Sequence, residues 1–421
     1  MAYERIVLIV FLSFFALEFL VERVLAALNA RHVREHAASL PSRLPRIVDD
    51  ATFRKSADYT LARAAFGHVA AIEGAALSLI FLFSGLLPWL SGLAERSISN
   101  PYLSGAAFLF AFGFIGALLG TPLDLYNTFK IEAKYGFNKT TLRTWLMDRI
   151  KGGVLAIVLG VPFIMTLEWL TLHTGAYWWL WAALFMIGFQ FLMMILYPML
   201  IAPLFNKFKP LEDGELKRVL NDLARRCNFG AAGIFVMDGS SRSAHSNAYF
   251  TGMGGARRIV LYDTLVEQLS SAELAAVLAH EIGHYKLKHI PKGMLLACAM
   301  TLAGFYALSL ILHWPVLYDA FGGGTWPADS HTPLGVAQGF ALCSLIAGPL
   351  SFWCGPFFNA LSRKHEYEAD AYAKAQTDAP SMGGALLKLS EKNLSNLTPH
   401  PLFSAYHYSH PALLERLAAL K

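Results

Sequence analysis

The sequence predicts a mainly α, polytopic membrane protein with about seven transmembrane helices and a small α+β insertion on one side of the bilayer. Three observations carry this. Hydrophobic residues fill 55% of the 421 positions and charged residues only 15%, with mean hydropathy +0.43, which excludes an ordinary soluble protein. Seven apolar runs, each near the ~20 residues a bilayer requires, fall at 6–28, 64–90, 103–123, 154–172, 178–205, 294–317 and 334–361. Between the fifth and sixth lies a more polar stretch that contains His280-Glu281-Ile282-Gly283-His284.

The basic residues between the runs alternate. The first loop carries Arg31, Arg34, Arg43, Arg46, Arg54 and Lys55, and the third carries Lys130, Lys134, Lys139, Arg143, Arg149 and Lys151. The second has only Arg96, and the fourth and sixth have neither Lys nor Arg. The positive-inside rule then predicts an external N-terminus, a cytoplasmic C-terminus and a cytoplasmic HExxH. This pattern accounts for the formal charge of +5, and no basic stripe points to nucleic acid. The first run is too long for a signal-peptide core and carries Glu18 and Glu22, so a membrane span is expected there. Cys227, Cys298, Cys343 and Cys354 form no CxxC pair and predict neither a disulfide framework nor a thiolate zinc site.

The expected organisation is spans one to five over 1–205, a cytoplasmic catalytic insertion over 206–290, spans six and seven over 291–362, and a cytoplasmic C-terminal segment over 363–421. Within the insertion, 211–227 reads as a helix, and 234–237, 247–251 and 258–262 read as short strands. Ser270 and Glu273 form a capping-box pattern ahead of a helix that carries HExxH, with Pro291 expected to close or kink it.

On that helix His280 and His284 lie one turn apart on one face and can hold one metal ion from the same side. Glu281, turned by roughly 100°, misses the ion but reaches water beside it, as a general base must. Gly283 between the histidines leaves room for another element to pack close. A catalytic zinc site needs a third protein ligand and an open position. Glu366 and Asp370, four apart at the cytoplasmic end of the last span, fit the third ligand and a carboxylate that orients a ligating histidine. Spacing favours Glu366 and leaves His289, His365 and Glu368 as rivals; solvated helix charges facing Arg363 and Lys374 are the plainer reading of the acidic pair. In the tail, His410 before Pro411, together with Arg416, supplies candidate donors to a developing oxyanion.

Three segments in this order, HEIGH, SRKHEYEADAYA and HYSHPALLER, with SAHSNAYFTG upstream, closely resemble the integral-membrane CAAX prenyl proteases, seven-span zinc endopeptidases. The resemblance covers nearly the whole chain. It implies one Zn(2+) per chain on His280, His284 and Glu366, Glu281 as general base, Asp370 behind the ligands, and His410 with Arg416 near the reacting carbonyl. It also implies that Asn247, Ala248, Tyr249 and Phe250 form an edge strand along which an extended substrate lies, and that the tilted spans enclose a large water-filled chamber. Glu18, His68, Glu73, Asp124 and Glu168, within or at the ends of spans, are costly against lipid; a hydrated interior or pairing between helices would relieve them. Gly116 and Gly120 form a GxxxG that marks close helix packing.

The expected function is zinc-dependent hydrolysis of peptide bonds near substrate C-termini, CAAX-type processing behind a prenylated cysteine. The alternatives are a membrane-protein quality-control protease with no prenyl requirement, and a non-enzymatic scaffold with structural zinc, which would have no use for Glu281. The expected partners are a peptide or protein substrate and the lipid bilayer, with a monomer compatible with the sequence. The chain ends without an endoplasmic-reticulum retrieval signal, which favours a bacterial inner membrane, or the endoplasmic reticulum if the source is eukaryotic.

Overall fold

In the computed structural model, which describes residues 2–37, 48–230, 232–251, 257–322 and 330–421, helices take up most of the chain. Arg43 and Arg46 of the first loop lie outside the described residues. The N-terminal half runs through α1 (Ala2–His36), α2 (Asp50–Phe83), α3 (Leu86–Ser97), α4 (Pro101–Tyr126) and a π-helical stretch (Asn127–Glu132) into α5 (Ala133–Tyr135). It continues through α6 (Leu142–His173), α7 (Trp178–Leu196) and α8 (Ala202–Phe205). Short polar side chains start several of these helices by accepting free backbone N–H groups: Asp49 from Thr52, Asn100 from Tyr102 and Leu103, Thr141 from Thr144.

Among the described residues six segments are long and apolar enough to cross a membrane: Asp50–Phe83, Pro101–Tyr135, Leu142–His173, Gly175–Phe205, His289–Ile311 and Pro333–Gln376. They leave Ile72, Leu118, Val158, Trp181 and Leu295 exposed, a surface for which hydrocarbon is the fitting solvent. The protein is therefore a multi-pass membrane protein. α1 is 35 residues long but carries Glu18, Glu22 and Arg23, and it is not among the six.

Several boundaries depart from the expected runs. The run over 64–90 ends early, because Gly85 adopts a left-handed φ of 79° and turns the chain before α3 begins. Gly116 and Gly120 do not mark close packing among the described residues, since a Cβ on either would meet none of their atoms within 4 Å. The last span changes helix type between its prolines Pro349 and Pro356: α14 (Pro333–Ser351) gives way to a 3₁₀ turn (Phe352–Cys354) and then to α15 (Gly355–Gln376). Of the ionisable residues in the spans, Asp124 accepts from Arg149 and from the Trp145 indole, and His68 Nδ1 lies 2.9 Å from Arg23 Nη1. Glu168 is fully buried, with no hydrogen-bond partner for either oxygen among the described residues.

The insertion opens with β1 (Phe208–Pro210), α9 (Glu215–Arg226), β2 (Gly233–Met237), β3 (Ala248–Thr251) and β4 (Arg258–Tyr262). α10 (Asp263–Gln268) and α11 (Ser271–Lys286) follow. The sheet order is β1-β2-β4-β3, with β2 and β4 parallel and both outer pairs antiparallel, so β3 is an edge strand. Beyond α11 lie α12 (His289–Ile311), α13 (Pro315–Gly322), α14 and α15, then α16 (Ala379–Lys392), α17 (Pro401–His407) and α18 (Leu413–Ala419).

One apolar core unites the sheet with the helices around it. Leu220 and Leu223 from α9, Ile259 and Leu261 from β4, Leu274, Leu278 and Ile282 from α11, Ala373 from α15 and Leu386 from α16 are all buried in it. The C-terminal segment thus packs against the insertion across the intervening spans. This burial explains why α11 has apolar residues on most of its faces and few sites free for polar ones.

Candidate metal centre

The capping box starts α11 as its sequence requires: Ser270 Oγ accepts from the Glu273 N–H, and the Glu273 carboxylate accepts from the Ser270 N–H. Lys388 of α16 closes on the same carboxylate at 2.7 Å. The helix ends at Lys286 because Lys288 takes a left-handed φ of 59°. Pro291 therefore does not close it; this proline sits in the first turn of α12, where a missing N–H costs little.

α11 packs along α15, and their crossing builds the site. His280 Nε2 lies 3.2 Å from His284 Nε2 and 3.5 Å from Glu366 Oε2, and His284 Nε2 lies 3.3 Å from Glu366 Oε1. Ligands 2.0–2.1 Å from a tetrahedral zinc stand about 3.3 Å apart. Three lone-pair-bearing groups close together, with Glu366 Oε2 buried and without a hydrogen-bond partner among the described residues, fit a divalent cation. His289, His365 and Glu368 make a second, separate grouping whose ligand atoms also come near one another.

Behind these three groups is a buried carboxylate. Asp370, 1% exposed, places Oδ1 2.8 Å from His280 Nδ1. Arg416 grips Asp370 with Nε at 2.8 Å and Nη2 at 2.6 Å, and its Nη1 is 3.5 Å from Glu366 Oε2. The two acids are thus buried and paired, unlike solvated helix charges, and Arg363 instead donates to the Tyr408 carbonyl. His410 is exposed and brings Nε2 to 3.4 Å from Glu366 Oε1.

Electrostatics follow this geometry. Burial alone would lower the His280 pKa, but the Asp370 and Glu366 carboxylates outweigh it and push it up to about 9 in the metal-free chain. Burial lifts the Glu281 carboxyl above its usual range, with His280 and His284 pulling the other way. A base with a raised pKa holds an abstracted proton better.

β3 runs beside α11. The Tyr262 N–H donates to the Asn247 carbonyl, so in the alternating antiparallel ladder the backbone groups of Ala248 and Phe250 point away from β4. The outward N–H of Ala248 donates to Asn247 Oδ1.

The structure brings His280, His284, Glu366, Asp370, His410 and Arg416 together with Glu281, while Asn247, Ala248, Tyr249 and Phe250 are tied to the region through the packing of β3 beside α11. Other contacts left no mark in local spacing: the Asn359 amide donates to the Tyr406 carbonyl and, with Arg363, ties the tail to α15 across more than forty residues of sequence. The His289 contacts were also missed, because only the break at Lys288 turns that ring back.

Residues 210–421 match the family described as Peptidase family M48. The chain belongs to peptidase family M48. Residues 29–207 match the M48 companion family described as CAAX prenyl protease N-terminal, five membrane helices. "CAAX prenyl protease 1" of Saccharomyces cerevisiae is 38% identical over 90% of this chain and 88% of its own length. The "CAAX prenyl protease 1 homolog" of Oryza sativa subsp. japonica is 36% identical over 92% of each chain, and that of Homo sapiens is 33% identical over 94% of this chain and 91% of its own. The crystal structure of S. mikatae Ste24p superposes with a TM-score of 0.93 at 36% identity, covering 98% of this chain and 99% of that one. This M48 chain is accordingly a membrane metallopeptidase.

Proposed function

We propose that this M48 peptidase is a zinc endopeptidase that cleaves near the C-termini of CAAX-type substrates, behind a prenylated cysteine. One observation carries the reading: two imidazoles and the Glu366 carboxylate meet, close enough to Glu281 to act on its carboxyl, in a chain matched over nearly its full length by CAAX prenyl proteases. The domain division follows, with spans over 1–205 and 291–362, the catalytic insertion over 206–290 and the C-terminal segment over 363–421. α1 serves as a seventh span, and the spans enclose a hydrated chamber. The pairing of His68 with Arg23 at span depth supports such an interior. The basic first and third loops support a cytoplasmic site.

In this reading His280, His284 and Glu366 hold one zinc ion, which when bound polarises the scissile carbonyl and acidifies water. Glu281 takes the proton of the attacking water and passes it to the leaving nitrogen. Asp370 steadies His280, and Arg416 holds Asp370 in place. Two nitrogens of Arg416 are committed to that pair, so His410 is the freer donor to the developing oxyanion. The outward backbone of Ala248 and Phe250, flanked by Asn247 and Tyr249, offers an extended substrate a strand to join.

The test is cleavage by the purified protein of a farnesylated CAAX peptide, its unprenylated twin and casein, with chelator and zinc add-back. Chelator-reversible cleavage of the farnesylated peptide well above the other two is expected. Equal turnover of casein would favour a quality-control protease.

A further inference from the structure

His289 lies five residues beyond His284, a spacing that on an unbroken helix would turn it away by about 140°. The left-handed Lys288 undoes that, and His289 comes back against His284 on the side away from the metal position. The two Nδ1 atoms are 3.0 Å apart, and His289 Nε2 is 2.8 Å from Glu368 Oε2. His289 is 5% exposed and stacks on the His365 ring, with centroids 4.1 Å apart and planes within 12°.

The protons along this chain have one consistent arrangement. If His284 turns a bare Nε2 toward the metal, its proton is on Nδ1, and His289 Nδ1 must accept it. The proton of His289 is then on Nε2, where it faces the Glu368 carboxylate. We propose that His289 and Glu368 are positioning residues, a relay that fixes the tautomer and ring orientation in which His284 ligates the metal. The inference rests on His280, His284 and Glu366 as the ligand set. It makes the site two-sided: His280 is backed by Asp370 directly, and His284 is backed by Glu368 through a second imidazole.

The competing use of these groups is a second cation held by His289, His365 and Glu368. Nearly parallel stacked rings direct their in-plane lone pairs side by side and do not converge on one ion. A cation on His289 Nε2 would also move the His289 proton to Nδ1, against the proton already on His284 Nδ1.

The test uses the full chain purified in detergent, as wild type, Glu368→Ala, Glu368→Gln and His289→Ala. Glu368 is 37% exposed, so its replacement leaves the fold in place. Zinc affinity is measured by competition with a chromogenic chelator, stoichiometry by elemental analysis, and ligand geometry by the visible spectrum of the cobalt(II)-loaded protein. Glu368→Ala and His289→Ala are expected to bind zinc about 10- to 100-fold more weakly, with an altered cobalt spectrum. Glu368→Gln, whose amide oxygen accepts from the same N–H, should recover most of the affinity. Wild-type affinity and spectrum in Glu368→Ala would overturn the relay, as would two zinc equivalents in wild type with the second lost in that variant. A wild type that binds no zinc would bring down the ligand set itself.

Discussion

Gly283 and Ala369 touch where α11 and α15 cross: a Cβ on Gly283 would stand 3.2 Å from the Ala369 Cα and 3.3 Å from its carbonyl oxygen. Both neighbours are backbone, so neither can swing aside, and a larger residue must push α15 away from α11. Gly283→Val should cost about 1–3 kcal/mol and lower metal content as Glu366 draws back from the histidines. Thermal melting and elemental analysis measure the two effects.

In the proposed site Glu281 stands beside the ligands and outside the ligand set. Glu281→Gln should therefore retain zinc while the rate falls about 10²- to 10⁴-fold. Substantial turnover with full metal loading would remove Glu281 from the base role.

Glu366 and Asp370 should separate by readout. Glu366→Ala is expected to lose the metal, and full occupancy by elemental analysis would move the third ligand elsewhere. Arg416→Ala leaves Asp370 buried without its two-pronged partner, a loss of about 3–5 kcal/mol. That loss should appear as a lowered melting point in the metal-free chain as well.

The His280 pKa sets a pH dependence. It is raised in the metal-free fold to about 9, so the pairing with Asp370 and Glu366 contributes fully below the ordinary histidine value of about 6.5 and is lost as pH rises through about 9. The metal-free chain should melt at lower temperature as pH rises across that window. Zinc must displace the same proton, so its apparent affinity should climb about tenfold per pH unit until near pH 9 and then level. A flat affinity profile would contradict the pairing.

The outward edge of β3 can be probed at one N–H. Ala248→Pro removes a donor that β4 does not use and that the exposed Asn247 side chain holds until a substrate takes it, so melting should change little while kcat/KM for a peptide falls about fivefold, the worth of one hydrogen bond.

Much of the site was legible because its parts are local. HExxH needs only helical spacing, the Ser270–Glu273 cap needs three residues, and Glu366 and Asp370 share a face by the same rule. Span boundaries were less legible, since a left-handed Gly85 or Lys288 leaves no trace in hydropathy.

The sequence by itself determined the membrane class, the helix that carries HExxH and the residue types proposed for the chemistry, because periodicity and composition act over a few turns of chain. Tertiary structure alone decided that Arg416 holds Asp370, that Lys388 closes on the cap of α11 and that His289 backs His284. Those contacts depend on how α11, α15, α16 and the tail pack around one buried core, and the energy that brings them together belongs to no single segment.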